Sequence, residues 1–478
     1  MAIKSCGGGD PVRVLITPRR FSGTIRAPAS KSHTIRRLLL AALGEGVSEI
    51  DYPLDSLDAR SCVRVCRALG AEIEERRAGD EICVNPPDSE GKRLVRWVVR
   101  GIGAGKAGGQ IKTPPEPLDT GNSGTTLFLA LAAAALGRGK ITFTGDEQIR
   151  RRSAAPLLAA LEGLGIAVTS AEGGCAPITV RGPWRGGRVS LSCPTSQYLS
   201  ALLLAAPLAP GGALTEIEVP LLNEKPYIDM TLSYLRTQGI PLEAATDYSS
   251  FRIPGGASYK PQRGPVPGDF SSAAFPGLAA AVSGGPVTIL GLDPADPQGD
   301  KVFFDILAAM GCTVEWSPES VSPAAAGNQA PLRNLTVSRT GPLKGGVFDL
   351  NATPDLLPAL AAAACYARGD TALINVAHAR IKETDRIAVM AEELGKLGAD
   401  IEERPDGLLI HGGMTGTNGG SGPCLSGGRT DSRGDHRVVM ALEAAALGAA
   451  GPVEIDGAEY AAVTYPGFPE LLKAEKIT

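Results

Sequence analysis

The sequence predicts a repetitive α/β protein of two domains, each built from three β/α modules, and three observations carry that prediction. The chain has 478 residues, more than one ordinary hydrophobic core accommodates. It holds 60 Gly and 37 Pro with only 5% aromatic residues, a composition that suits close-packed Ala-rich helices separated by many tight turns. One local pattern, an amphipathic helix that ends at a glycine and leads into a short strand, then recurs along the chain.

The pattern reads "VCRALGAEIEE" (65–75), "LLAALEGLGIAVTS" (157–170), "LSYLRTQGIPLEA" (232–244), "FFDILAAMGCTVEW" (303–316) and "MAEELGKLGADIEE" (390–403). Gly70, Gly165, Gly239, Gly311 and Gly398 stand where a left-handed helix C-cap is expected. Their spacings of 95, 74, 72 and 87 residues exceed any usual solenoid period, so each unit is a substantial module. "YPGFPELLKAEKIT" predicts a sixth helix that ends the chain. Three stretches, 101–117, 317–331 and 412–430, have little apolar periodicity and read as surface insertions.

The charge balance narrows the partners. With 47 basic against 51 acidic residues and a net charge of −4, neither a polybasic nucleic-acid binder nor an acidic disordered chain is indicated. Nine scattered Cys without a C-x-x-C pair read as reduced thiols, the N-terminus has no secretory or transit character, and apolar runs such as "LFLALAAAALG" are too short to span a bilayer. These features predict a cytoplasmic protein with small-molecule partners and no membrane or nucleic-acid role.

Several helices start after Gly-rich or Ser/Thr-rich turns: "PASKSHT", "TGNSGTT", "PTSQYLS" and "PGDFSSAAF". Helix N-termini carry free N–H groups and a partial positive charge, so such turns are ready anion sites, although any one of them is explained equally well by plain capping. Cations gather at the same places: Lys31 and Arg36, Arg150 to Arg152, His436 with Arg437, and "RIKETDR" over 380–386. Acidic residues normally prefer these ends. A solvated first helical turn accounts for "RIKETDR", with Lys382 and Arg386 one turn apart and Glu383 paired with Arg386; an anion site with a carboxylate beside it for proton transfer accounts for it too. Repetition of the arrangement favours a multiply charged anionic substrate. No Walker A sequence, G-x-G-x-x-G after a strand, or metal-spaced His/Cys cluster is present, so no cofactor and no metal are expected.

In this order, "ASKSHTIRRLLLAAL", "LDTGNSGTT", "TSQYLSALLLAAPLA", "KPYIDMTL", "RIKETDR", "GDHRVVMAL" and "YPGF" resemble the EPSP synthases, enolpyruvyl transferases of the shikimate pathway that leads to chorismate and the aromatic amino acids. The resemblance runs from about residue 12 to 470. It implies the two-domain enolpyruvyl transferase fold, an inside-out α/β barrel with inward helices, with one discontinuous domain over 1–29 and 267–478 and the other over 30–266. It implies transfer of the enolpyruvyl group of phosphoenolpyruvate to the 5-hydroxyl of shikimate 3-phosphate by a monomer, with glyphosate as the inhibitor at the phosphoenolpyruvate site. Carried over by motif, Lys31, Ser32, Arg36, Thr195, Ser196, Gln197, Tyr227, Asp355 and Lys382 would contact shikimate 3-phosphate. Lys31, Gly124, Arg152, Gln197, Arg386 and Arg437 would contact phosphoenolpyruvate, and Asp355, Glu383 and Lys31 would be catalytic.

Departures from the family pattern stand at Val463, where a lysine is usual, at Glu224, where a serine is usual, and at Phe128, where an arginine is frequent and Arg150 or Arg151 would have to compensate. Glu224 would repel a phosphate unless its side chain turned away or paired with Lys225. His378 reads as structural. Two rival readings follow. A catalytically silent paralogue would draw support from Val463 and Glu224, but it would not need both carboxylates. A UDP-N-acetylglucosamine enolpyruvyl transferase would carry Lys-Asn in place of Lys31-Ser32 and a cysteine within 144–152.

Overall fold

In the computed structural model the described residues are 11–79, 83–105, 111–318, 332–412 and 425–477. They divide into two compact units. One holds the described residues through Ser30, Val84–Lys92 and those from Pro267 onward; the other holds Lys31–Cys83 and Arg93–Val266. Val84–Lys92, a turn in which Asp88 Oδ1 accepts from the backbone N–H of Glu90 and Lys92, thus counts with the first unit rather than with the run over 30–266.

Each unit has three modules of one design. In the module over residues 118–181, Leu118–Asp119 pairs in parallel with Ile141–Thr144 across the helix Gly124–Ala134. A second helix, Ala155–Gly163, then leads into the antiparallel strands Ala167–Ala171 and Cys175–Arg181. The remaining modules keep this plan with changes: the first sheet has three strands, and Gly23–Arg26 and Arg13–Ile16 from the start of the chain fill places in the fourth and sixth; the five cap glycines all take positive φ, from 71° to 118°. The helices of the first position are largely apolar and buried accordingly, although Lys31–Leu43 and His436–Ala446 also carry buried charged residues. Gly124–Ala134, Leu357–Ala364 and His436–Ala446 are buried at every residue. They form the interior of their units, with the sheets outside, as the inside-out arrangement requires.

The sixth module departs from the sequence reading. Its short helix, Phe468–Leu471, does not end the chain: a strand, Glu475–Ile477, follows it. The residue at the left-handed turn is Lys473, with φ 50°, and the missing glycine hid the repeat. That strand and Val453–Asp456 both pair antiparallel with Arg13–Ile16, so the start of the chain completes the last sheet.

All three expected insertions are also corrected at their described ends. Ile102 and Ala104 donate to the carbonyls of Ala42 and Leu43, and a Cβ on Gly101 would collide with the carbonyl of Gly44, so residues 101–105 are a close-packed strap. Gly428–Asp431 is a strand of the sixth sheet, and Thr313–Pro318 runs past the start of the 317–331 stretch. Residues 106–110, 319–331 and 413–424 lie outside the described residues. Seven of the nine cysteines fall within them, all free thiols and all buried but Cys175. Among the described residues no helix is long and apolar enough to cross a membrane.

Candidate active site

Four of the predicted cations, Lys31, Arg36, Arg386 and Arg437, are already answered by a protein carboxylate or a built hydrogen-bond set. Lys31 opens the helix Lys31–Leu43, and its Nζ lies 3.2 Å from Asp58 Oδ2. Asp58 is buried in the following helix, Leu57–Ala68, and went unnoticed in the sequence. Arg36, one turn after Ser32, is fully buried. Its guanidinium donates to Thr231 Oγ1 (3.0 Å), Ser200 Oγ (3.2 Å), Ser32 O (3.2 Å) and Tyr227 O (3.4 Å), and burial lowers its pKa to about 10.

The helix Ser196–Ala205 begins with Thr195 as its cap, and Gln197 Nε2 donates to Thr125 Oγ1 at 3.0 Å. Glu224 does not turn away. Its Oε2 accepts from Ser196 N (2.9 Å), Ser196 Oγ (2.8 Å) and Thr195 Oγ1 (3.1 Å), while exposed Lys225 donates to the carbonyl of Asp247 instead. The strong acceptor is a carboxylate and the donors stand at a helix N-terminus, where negative charge is favoured.

Arg152 and Gly124 belong together, since a Cβ on Gly124 would run into Nη1 of Arg152. Phe128 is buried edge-on against Tyr198, with ring centroids 5.0 Å apart. Arg150 and Arg151 are exposed, and Arg151 pairs with Glu147, so neither takes the arginine's place.

In the other unit, "RIKETDR" is not a helical turn. Ala377–Ile381 is a short 3-10 segment, the helix begins only at Arg386, and Lys382 lies outside both with ψ −146°. Lys382 and Arg386 therefore do not share a helical face. Asp385 caps the helix by accepting from Ala388 N and also pairs with Arg380 at 2.7 Å. Arg380, expected to be solvated, is anchored further by Glu403 and by the carbonyls of Arg404 and Pro405.

Arg386 is the centre of this cluster. With no exposed surface it reaches three carboxylates: Glu383 at 2.6 Å, Asp355 at 2.7 Å and Asp435 at 2.8 Å. The other oxygen of Asp355 lies 2.7 Å from Arg437 Nη2. Burial alone would raise the Asp355 pKa, but Arg437, Arg386 and Lys382 outweigh it and hold the carboxyl far below the usual range. Asp435 is held down in the same way, burial being overcome mainly by Arg386. Asp435 also caps the helix His436–Ala446 through Arg437 N, and an acidic residue just before a helix was its one available signal. Asp300, likewise missed, is buried close enough to feel Asp355, and burial chiefly pushes its pKa up to about 7.

Val463 is buried on the 3-10 segment Ala458–Val463, and His378 is buried on its own short segment. What this geometry can do is clear. Two guanidiniums share one carboxylate, a second carboxylate lies on the same arginine, and an incoming carboxylate can compete for both forks.

The relatives of the chain agree with the motifs. The family described as EPSP synthase (3-phosphoshikimate 1-carboxyvinyltransferase) matches residues 16–472. A 3-phosphoshikimate 1-carboxyvinyltransferase of Acetivibrio thermocellus is 45% identical over 454 residues, covering 95% of this chain and 96% of that one. One of Halobacterium salinarum is 40% identical over 464 residues, covering 96% and 97%. The solved EPSP synthase of Acinetobacter baumannii superposes with a TM-score of 0.76 at 27% identity, covering 98% of this chain and all of that one. The chain belongs to the EPSP synthase (3-phosphoshikimate 1-carboxyvinyltransferase) family.

Proposed function

We propose that this chain transfers the enolpyruvyl group of phosphoenolpyruvate to the 5-hydroxyl of shikimate 3-phosphate, giving EPSP and inorganic phosphate in the route to chorismate. The observation that carries the reading is the Asp355 carboxylate shared between Arg386 and Arg437, with Glu383 on the same Arg386. The carboxylate of phosphoenolpyruvate suits the two guanidinium forks. By drawing them from Asp355 it would remove the groups that depress that carboxyl, so the base gains strength as the substrate arrives.

Asp355 then accepts the 5-hydroxyl proton while the oxygen bonds to C2 of phosphoenolpyruvate, and Glu383 delivers a proton to C3. The tetrahedral intermediate collapses by breaking the C2–O bond to phosphate, Glu383 takes a proton back from C3, and the proton taken by Asp355 leaves with the phosphate. Lys31, oriented by Asp58, stabilises the leaving phosphate with Arg152. Ser32, Arg36, Thr195, Ser196, Gln197, Tyr227 and Lys382 hold shikimate 3-phosphate, and Gly124 leaves space beside Arg152 in which glyphosate would also lie. In this reading the protein works as a cytoplasmic monomer.

The test is release of inorganic phosphate from phosphoenolpyruvate by the purified chain. Release that requires shikimate 3-phosphate supports the proposal. Tight binding of shikimate 3-phosphate without release would favour a silent paralogue, and release with UDP-N-acetylglucosamine instead would move the chain to the other transferase.

A further inference from the structure

Glu224 is a buried charged side chain bonded to two of the proposed substrate contacts, Thr195 and Ser196, and the proposed reaction gives it no part. Its Oε2 takes three donors at once, Ser196 N, Ser196 Oγ and Thr195 Oγ1, between 2.8 and 3.1 Å. Those are the opening donors of the helix Ser196–Ala205, the arrangement in which a phosphate oxygen would be received. The residue is 2% exposed and reaches the donors from a left-handed backbone, φ 60° and ψ 41°, a conformation that a non-glycine residue adopts only when its surroundings hold it there.

A second observation concerns the cation behind it. The hydrogen bonds of the Arg36 guanidinium all go to neutral oxygens, those of Thr231, Ser200, Ser32 and Tyr227. Burial weighs against that cation, and Tyr234, Tyr227 and then the Glu224 carboxylate weigh for it. Glu224 therefore satisfies the helix start as a bound phosphate would, and its negative charge favours the Arg36 cation.

Resting on the function proposed above, we infer that Glu224 is an internal stand-in for the phosphate of shikimate 3-phosphate. It occupies the phosphate donors of the unliganded protein, and the substrate must displace it to bind. Glu224 thereby sets the affinity for the phosphorylated ring. A carboxylate and a phosphate cannot share the three donors, because like charges in contact are strongly unfavourable. A residue that only caps the helix would behave differently: its loss would weaken the fold and leave the affinity for phosphate unchanged.

The experiment uses the full chain and the variants Glu224→Ser and Glu224→Gln, the latter keeping the shape while removing the charge. Calorimetric titrations with shikimate 3-phosphate and with shikimate are set beside thermal melts with and without inorganic phosphate. Both variants are expected to bind shikimate 3-phosphate more tightly than the parent, Glu224→Ser by about tenfold or more, with shikimate changed by less than about twofold. Glu224→Ser should melt lower than the parent without ligand and recover the difference in inorganic phosphate. Folded variants whose affinity for shikimate 3-phosphate is unchanged or weaker would overturn the inference and leave Glu224 a cap. Were the parent and both variants all blind to shikimate 3-phosphate, the functional proposal would fall and this inference with it.

Discussion

Arg36 in one unit and Arg386 in the other are both buried guanidiniums, and they are answered in opposite ways. Arg386 is surrounded by Asp355, Glu383 and Asp435, so its charge is fully met by the protein. Arg36 donates to four neutral oxygens. The contrast teaches that cations at helix starts do not by themselves call for a ligand. Around Arg386 an anion can enter only by exchanging with a carboxylate already present. Around Arg36 no carboxylate among the described residues forms a direct ion pair, and in the inference above Glu224 is the side chain that an anion would displace.

The sharpest way to break this comparison is to remove each cation. Arg386→Met leaves Asp435 buried without its partner and should cost about 3–5 kcal/mol in urea unfolding. Arg36→Met strands the neutral acceptors of Thr231, Ser200, Ser32 and Tyr227 and breaks no direct ion pair among the described residues, and should cost about 1–3 kcal/mol. Equal losses would erase the distinction.

Glu383→Gln keeps a hydrogen-bonding partner for Arg386, so it should leave stability within about 1 kcal/mol while lowering kcat by about 10² to 10⁴-fold. Steady-state phosphate release read beside urea melts separates the two effects. A turnover within about threefold of the parent would remove Glu383 from the chemistry.

The carboxyls of the Arg386 network should also show in the pH dependence of stability. Asp355 and Asp435 have folded pKa values below their unfolded ones, so the stability they contribute is present above about pH 4 and is lost as the pH falls below it. Asp300 has the opposite sign. Its folded pKa is raised to about 7, so its burial costs progressively more as the pH climbs from about 4, where the unfolded side chain ionises, to about 7. Urea melts across that window should show Asp300→Asn gaining on the parent as the pH rises. Asp355→Asn should lose its disadvantage in acid.

The smallest effect expected lies away from both cations. Glu443 is fully buried on the helix His436–Ala446; neither carboxyl oxygen has a hydrogen-bond partner among the described residues, and burial pushes its pKa well up. Glu443→Leu should stabilise the chain by about 1–3 kcal/mol at neutral pH, with a smaller gain near pH 4, where the unfolded carboxyl is itself protonated. Chemical unfolding at the two pH values reads this directly.

The modules and the cations were legible in the sequence because both depend on local pattern. A helix that ends at glycine and a Lys or Arg at a helix start are features of a few adjacent residues. The counterions were not legible, since the carboxylate that meets a cation comes from elsewhere in the chain: Asp435 lies 49 residues from Arg386. Glycine also misled in both directions. Gly101 reads as loop punctuation, but it is there because a side chain would strike the carbonyl of Gly44. Lys473 turns the chain left-handed without a glycine, and the strand after it was missed. Helix start was misplaced at "RIKETDR" because charge periodicity ran on through residues 382–385, which the backbone leaves outside the helix.

The central claim, that two carboxylates move protons during enolpyruvyl transfer, is tested most directly by running the reaction in deuterium oxide and weighing the product. Protonation at C3 followed by deprotonation of the intermediate places solvent deuterium in the enolpyruvyl methylene. The account predicts EPSP labelled at that carbon from the parent chain and, from Glu383→Gln, labelled product formed about 10² to 10⁴-fold more slowly. Unlabelled product from the parent, or labelling by Glu383→Gln at the parent's rate, would contradict it.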